Sequence, residues 1–248
     1  SVSELNITKA LQLDLLRKFI PQTVWDKTQI LAEGQDIVLP EEEQEIAIMF
    51  GDLQSFTSIS ELLSPKETIQ MLNDAFDIVT QIVYQNFGDI DKFIGDAFLA
   101  VFQHPEMALL SGIAIQSSLR SYNDSLIKKS KPTITFRIGI NWGKVIRGSV
   151  GGTCRYDNTL IGDPINTAQR LESMSPPGNI LVSKTVFSKV ECIELEGLDI
   201  KAYHLKGKDK EIEAALFYDY YINNPDIMEK LIKIRKEIDK ILSELGCD

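Results

Sequence analysis

Residues 91–102 of the chain read DKFIGDAFLAVF, two apolar runs separated by the Gly-Asp step at 95–96. Such a step between apolar runs is typical of a two-residue hairpin turn. A second Gly-Asp step ends the apolar run 46–50, which is typical of a short buried strand. If these strands are neighbours, Asp52 and Asp96 repel each other unless one is protonated or cations lie between them. The two segments therefore indicate a metal site suited to phosphate chemistry.

The elements around this hairpin follow a regular order. Ser64-Pro65-Lys66-Glu67 is a capping box with proline at the first helical position, and the helix that it begins ends before Gly88. The hairpin comes next, then a helix over about 105–126 and a strand over 133–140. The order β-α-β-β-α-β predicts an α+β fold, a ferredoxin-like core with extra αβ elements on its C-terminal side.

Three regions are predicted along the chain. Residues 1–44 form one helix that ends at Pro21, followed by a connecting loop through Pro40. Residues 45–220 form the main domain, in which 179–183 is a strand and 193–218 forms further strands. Residues 221–248 carry a C-terminal amphipathic helix that could serve as a dimer contact.

Composition excludes several classes of protein. The chain has 248 residues, 44% of them hydrophobic, which is ample for a core, and a net charge of −10. That charge argues against a general nucleic-acid or anionic-membrane binder. No apolar run approaches the roughly 20 residues that span a bilayer, and the N-terminus lacks a signal-peptide pattern, so we expect a cytoplasmic location. The 3 cysteines show no paired spacing, which supports neither disulfides nor a zinc site.

Three motifs identify a family resemblance. The first consists of Phe50, Asp52, Phe56 and Thr57; the second of Gly88, Lys92, Gly95 and Asp96; the third of Thr159, Gly162, Asn166, Ala168, Arg170, Leu171 and Glu172. A later signature, Leu-Lys-Gly, occupies 205–207. In this order and spacing they closely resemble the class III nucleotidyl cyclase catalytic domain of adenylate cyclase type, over about residues 45–218.

The resemblance implies a reaction and a metal site. A cyclase makes the ribose 3′-hydroxyl attack the α-phosphate of the same nucleotide while pyrophosphate leaves, which requires charge neutralisation along the in-line path. Asp52, Asp96 and the backbone carbonyl of Leu53 are the implied ligands of two divalent cations, Mg²⁺ or Mn²⁺. Asn166 is implied to position the ribose and Arg170 to stabilise charge on the transferring phosphate. These last two residues lie four apart on one face of a predicted helix.

The resemblance also implies a base preference. In this family a lysine with aspartate or threonine goes with adenine, and glutamate with a small residue such as cysteine goes with guanine. Lys92 and Thr159 are the adenine pair, because a lysine donor serves adenine N1 and a hydroxyl accepts from the exocyclic amine. Lys144 and Lys206 are weaker candidates for the β- and γ-phosphates, or are simply solvated.

The family builds each site across a dimer interface, with the metal-binding residues and the Asn-Arg pair from different subunits. We therefore expect a homodimer that binds ATP. The N-terminal helix and the abrupt start of the chain suggest an upstream sensor. The chain departs from the family pattern at Gln54 and Ser55, where Arg-Gly is usual, and at Phe87, where a glycine is common.

Three other functions stay open at this point. A guanylate cyclase is disfavoured by Lys92 and Thr159. A non-catalytic cyclase-like module that binds nucleotide or dimerises is suggested by the departures at 54, 55 and 87. A polymerase-palm-like or diguanylate cyclase enzyme shares a metal-carboxylate βαββαβ core, but the segment 159–172 favours the class III assignment.

Overall fold

The computed structural model describes residues 2–33, 39–152, 155–194, 197–204 and 211–244. The helices are α1 (Val2–Arg17), α2 (Gln22–Glu33), α3 (Phe56–Ser60), α4 (Pro65–Gln85), α5 (Pro105–Lys128), α6 (Asp163–Met174), α7 (Lys184–Phe187), α8 (Phe217–Asn223) and α9 (Asp226–Glu244). The strands are β1 (Glu42–Leu53), β2 (Gly88–Ile94), β3 (Ala97–Phe102), β4 (Phe136–Gly152), β5 (Arg155–Ile161), β6 (Ile180–Ser183), β7 (Lys201–His204) and β8 (Glu211–Leu216).

The strands of the described residues form one mixed sheet. Its order is β2-β3-β1-β4-β6-β8-β7, and β5 pairs with β4 outside this path. β1 lies antiparallel between β3 and β4, whereas β4 and β6 are parallel. The predicted α+β class and the β-α-β-β-α-β order are confirmed, with β1, α4, β2, β3, α5 and β4 as the core elements.

The local signals of the core elements are confirmed in detail. Helix α4 begins at Pro65, and its capping box is complete: the Ser64 side chain accepts from the Glu67 N–H, and the Glu67 side chain accepts from the Ser64 N–H. The hairpin between β2 and β3 has Ile94 opposite Ala97, so Gly95 and Asp96 form the turn. Local chemistry therefore accounts for the start of α4 and for the turn between β2 and β3.

The two faces of the sheet are covered differently. Alternate side chains of β1, among them Ala47 and Met49, belong to the large core under α4 and α5. The intervening side chains, Ile46, Ile48 and Phe50, pack in a smaller cluster with Ala168 of α6. Asp52 continues this second set, because residues two apart in a strand share a face. We call this side of the sheet the α6 face.

Gly139 allows α6 to approach the sheet closely. A Cβ atom at Gly139 would lie 2.1 Å from the backbone nitrogen of Glu172 and 2.4 Å from the carbonyl oxygen of Ala168. Only glycine permits such contact between a strand and a helix backbone. The close packing brings the C-terminal half of α6 over β4, beside the end of β1 that carries Asp52.

The N-terminal region differs from the prediction of a single helix and a loop. A second helix, α2, follows Pro21, because proline is tolerated where a helix begins although it breaks a helix interior. The Gln22 N–H donates to Asp89 Oδ1 of β2 at 3.2 Å, and Lys27 forms an ion pair with Glu42 of β1. These contacts connect α2 to the sheet, and β1 spans Glu42–Leu53, longer at both ends than the predicted strand 46–50.

At two positions where the chain departs from the family pattern, the backbone has a conformation that favours glycine. Ser55 has a φ of 59° and Phe87 a φ of 57°, both in the left-handed region. This conformation costs an ordinary L-residue roughly 1–2 kcal/mol, which explains physically why glycine is common at such positions. The chain forms both turns without glycine, so the departures strain the backbone locally and leave the strand order intact.

The remaining predictions concern the C-terminal helix, the cysteines and the membrane. Helix α9 buries Ile227 and Leu231 in the main core, so at least part of its apolar face packs within the protomer. Cys192 is a free thiol, and Cys154 and Cys247 lie outside the described residues. None of the described helices is long and apolar enough to cross a membrane.

Candidate active site

Asp52 and Asp96 lie at the same end of the β1–β3 pair. Asp52 is opposite Ala97, and the Leu53 N–H donates to the Asp96 carbonyl oxygen at 3.3 Å. Burial raises the pKa of Asp96, and the charge of Asp52 raises it further. Mutual repulsion of this kind is what a bound cation relieves. The two carboxylates are thus brought together as the sequence predicted.

The oxygen atoms at this place suit a hard divalent cation that takes its remaining ligands from water and from the phosphates of a substrate. Within the described ranges, no group of three or more His, Cys, Asp and Glu side chains is placed to hold a metal. Mg²⁺ usually binds through one or two carboxylates together with water and substrate phosphates, rather than in an all-protein cage. Asp52 and Asp96 fit that arrangement, and Leu53, whose N–H donates to the Asp96 carbonyl oxygen, lies beside them at the end of β1.

Arg137 also belongs to this group, although the sequence analysis did not identify it. Arg137 of β4 is opposite Asp52 of β1, and its Nη2 donates to Asp52 Oδ2 at 2.6 Å. The same nitrogen lies 3.2 Å from Glu172 Oε1. Arg137 is the one charged residue of the predicted strand 133–140, which was the available signal, but its meaning depends on the β1–β4 register. Arg137 neutralises part of the negative charge and supplies a cation beside the predicted metal ligands.

Glu172 is a buried acid that faces this cluster. Its side chain is 8% exposed. Burial raises the pKa of Glu172 to about 7; the Arg137 charge opposes this rise, whereas the charges of Asp52 and Asp96 add to it. The Ser173 hydroxyl, which donates to Glu172 Oε2 at 3.4 Å, acts in the lowering direction. The protonated acid is thus favoured in the folded protein up to near neutral pH.

The raised pKa predicts how stability depends on pH. Between the ordinary pKa of 4.5 and the folded value of about 7, the native state holds a proton that the unfolded chain has lost, so the stability from Glu172 decreases as pH rises through this window. Glu172→Gln stays neutral at every pH. We expect the stability of this variant relative to wild type to increase by about 1–2 kcal/mol between pH 5 and pH 8, below the full linkage value because solvent screens the charge.

Urea unfolding with EDTA at the two pH values measures this difference. Glu213→Gln is the control, because Glu213 is an exposed acid paired with Lys184. A difference between Glu172→Gln and wild type that is equal at both pH values would contradict the prediction.

Lys92 and Thr159, predicted from distant parts of the chain, are in direct contact. Lys92 Nζ donates to Thr159 Oγ1 at 2.7 Å and lies 3.8 Å from Asp157 Oδ2. Lys92 is on β2 and Thr159 on β5, 67 residues apart. Lys92 is opposite Leu99, a member of the cluster under α6, so Lys92 is on the α6 face with Asp52. Both residues come from one protomer and form one unit.

Asn166 and Arg170 lie on α6, four residues apart as predicted. Asn166 is exposed and Arg170 is half-buried. Among the described residues, Arg170 Nη1 is buried and has no hydrogen-bond partner. A buried guanidinium nitrogen without a partner is costly, and an anionic ligand would satisfy it. Arg170 therefore has a guanidinium nitrogen available for an anionic ligand.

Lys144, one of the two weaker lysine candidates, is not brought into this group. Lys144 is exposed on β4 opposite Glu45, and it alternates with Gly143 and Val145, so it points to the other side of the sheet from Asp52. Lys206 and the signature at 205–207 lie outside the described residues.

Comparisons with known proteins give the family. Residues 38–223 match the family model described as "Adenylate and Guanylate cyclase catalytic domain". The chain is 36% identical over 177 residues to an adenylate cyclase of Anabaena cylindrica, covering 67% of this chain and 35% of that protein. It is 34% identical over 180 residues to the receptor-type guanylate cyclase gcy-7 of Caenorhabditis elegans, covering 68% of this chain and 15% of that protein. The chain thus spans about a third or less of these relatives.

A solved structure agrees with these matches. The adenylyl cyclase CyaB from P. aeruginosa superposes with a TM-score of 0.64 at 26% identity, over 72% of this chain and 95% of that one. The family match covers the sheet, the hairpin and the helix that carry every described candidate residue. The chain belongs to the family of adenylate and guanylate cyclase catalytic domains, the class III nucleotidyl cyclases.

Proposed function

We propose that this chain is the catalytic domain of an adenylate cyclase, which converts ATP to 3′,5′-cyclic AMP and pyrophosphate in sites shared by two subunits. The observation that carries the choice of adenine is the 2.7 Å hydrogen bond between Lys92 Nζ and Thr159 Oγ1. It places a donor and an acceptor side by side, the pattern that the Watson–Crick edge of adenine complements.

The metal-binding part of the site consists of Asp52, Asp96 and the Leu53 carbonyl. These oxygens would hold two divalent cations, Mg²⁺ or Mn²⁺, which neutralise the charge that develops on the α-phosphate and the leaving pyrophosphate. Arg137, which donates to Asp52, adds a fixed positive charge at the same place. The group therefore suits a polyanionic substrate although the chain as a whole is acidic.

The other part of the site consists of Asn166 and Arg170. Asn166 positions the ribose so that its 3′-oxygen faces the α-phosphorus, and Arg170 donates to the phosphate oxygens as the new P–O bond forms and the bond to pyrophosphate breaks. The unpartnered Nη1 of Arg170 supports this role. We assign Asp52 with Asp96 to one subunit of a homodimer and Asn166 with Arg170 to the other.

Guanylate cyclase is the competing function, because guanylate cyclases are almost as similar to this chain as adenylate cyclases are. Substituting Lys92 and Thr159, the two residues proposed to contact the base, distinguishes adenylate cyclase from guanylate cyclase. Lys92→Glu combined with Thr159→Cys replaces the donor by an acceptor that suits guanine N1–H and the exocyclic amine. We expect the ratio of kcat/KM for ATP to that for GTP to fall at least about 100-fold, the scale for mismatched hydrogen-bonding groups.

The measurement is chromatographic separation of cyclic AMP and cyclic GMP formed from each nucleotide. Lys144→Glu is the matched control, because it makes the same charge change at an exposed lysine on the other side of the sheet. A wild-type protein that prefers GTP, or a double variant with an unchanged ratio, would contradict the adenine assignment.

A further inference from the structure

Strand β2 contains one extra residue immediately before Lys92. Ile90 is opposite Ala100 and Lys92 is opposite Leu99, so Asp91 has no partner of its own in β3. Such a β-bulge changes the alternation of side chains, and bulges commonly redirect a side chain beside an active site. Without the extra residue, Lys92 would share the face of Ile90, which is the side covered by α4 and α5.

The neighbouring side chains confirm the effect of the bulge. Ile90 belongs to the core under α4 and α5. Phe93 points to the same side and stacks on Phe76 of α4, with ring centroids 4.3 Å apart. Between them, Asp91 and Lys92 both point to the α6 face. The bulge therefore turns Lys92 towards Thr159.

A buried ion pair holds the bulged residue. Arg147 Nη1 of β4 donates to Asp91 Oδ1 at 2.8 Å, and the two side chains are 4% and 0% exposed. Arg147 Nη1 also lies 3.5 Å from Asn158 Oδ1 of β5. Removing one partner of such a pair leaves an uncompensated buried charge, so the pair strongly specifies the local geometry.

The second oxygen of Asp91 faces the lysine. Asp91 Oδ2 is buried without a hydrogen-bond partner among the described residues and lies 3.6 Å from Lys92 Nζ. Burial raises the pKa of Asp91, whereas the charges of Arg147 and Lys92 lower it. Arg147 thus favours the ionised carboxylate that attracts Lys92 from one side, while Thr159 accepts its hydrogen bond on the other.

From this arrangement we infer that Asp91 and Arg147 are positioning residues for base recognition, because their ion pair fixes the bulge that presents Lys92 beside Thr159. The pair does not touch the base itself; it acts through Lys92 and sets how strongly adenine is preferred to guanine. This inference rests on the proposed function, in which Lys92 reads the base.

The test is the ratio of kcat/KM for ATP to kcat/KM for GTP, which does not depend on the fraction of folded protein. Asp91→Asn or Arg147→Gln alone leaves a buried charge and can fail to fold, so the principal variant carries both changes. We expect this double variant to fold, with its ratio reduced about tenfold, the scale of losing one well-placed hydrogen bond from a charged donor. The matched control, Lys184→Gln with Glu213→Gln, removes an exposed ion pair elsewhere in the protein and keeps the wild-type ratio.

A second arm asks whether the pair acts through Lys92. In a Lys92→Ala background, adding Asp91→Asn with Arg147→Gln should leave the ratio unchanged, because the group that the pair positions is gone. A folded double variant with the wild-type ratio would overturn the inference. So would an equal fall in the ratio with and without Lys92, which would show that the pair acts by another route.

The wild-type protein in the same assay separates this inference from the proposed function. If wild type prefers GTP, the adenine assignment fails, but a change in preference that requires Lys92 still supports positioning. If neither nucleotide is cyclised, equilibrium dialysis with ATP and GTP gives the ratio of dissociation constants for the same variants. The same comparison then decides for or against the pair.

Discussion

Arg170→Ala is expected to lower kcat for cyclic AMP formation by about 10²–10³-fold, with a much smaller change in the KM for ATP. Arg170 is half-buried on α6, and its Nη1 has no hydrogen-bond partner in the described part of the chain. A guanidinium that bonds to phosphate oxygens mainly in the transition state contributes mainly to kcat. Steady-state kinetics with ATP at saturating metal measure the effect.

Two companion variants define how this result is interpreted. Arg170→Lys keeps the charge but loses the forked donor, and should fall between wild type and alanine. Gln169→Ala changes the adjacent exposed residue of the same helix and should stay within about twofold of wild type, the size expected of a surface change. A kcat for Arg170→Ala within twofold of wild type would remove Arg170 from the catalytic group.

Mixing two inactive variants is expected to restore activity. In a heterodimer of Asp52→Ala and Arg170→Ala subunits, one site receives both defects and the other receives none, if Asp52 and Arg170 reach each site from different subunits. Random exchange of equal amounts makes half of the dimers heterodimers, each with one intact site, so the mixture should reach about a quarter of wild-type activity. The measurement is cyclic AMP output after co-incubation, compared with each variant alone.

The matched control is a mixture of Asp52→Ala with Asp96→Ala. These residues lie together in one protomer. Every site of that heterodimer therefore has one defective metal ligand, and the mixture should stay inactive. Failure of the Asp52→Ala and Arg170→Ala mixture to recover activity, in subunits shown to exchange, would contradict the shared site.

The parts of the fold that depend on local chemistry could be predicted from the sequence. The capping box at Ser64 and the two-residue turn at Gly95-Asp96 each involve only residues close in sequence. Helix α2 was missed because the sequence was interpreted as if Pro21 could only end a helix, whereas proline also fits a helix start. Elements whose signals are ambiguous in this way need the tertiary context to be assigned.

In the candidate site too, some residues were found from sequence motifs, whereas other contacts depend on how distant strands pair. The motifs identified Lys92 and Thr159 by resemblance, and the structure places them in contact. Neither the Arg137–Asp52 contact nor the Asp91–Arg147 pair was predicted, because each joins separate strands. Strand register and a one-residue bulge decide which charged side chains meet, and a slip of one residue would reverse their faces.

The proposed function requires that the protein prefers adenine and that a second subunit completes each site. The most direct test is cyclic nucleotide formation by the purified chain over a range of protein concentrations, with ATP and GTP each supplied with Mg²⁺ and with Mn²⁺. We expect cyclic AMP as the main product and a specific activity that rises with protein concentration as dimers form. Cyclic GMP as the main product, or a specific activity that does not change on dilution to concentrations at which the protein is shown to be monomeric, would contradict it.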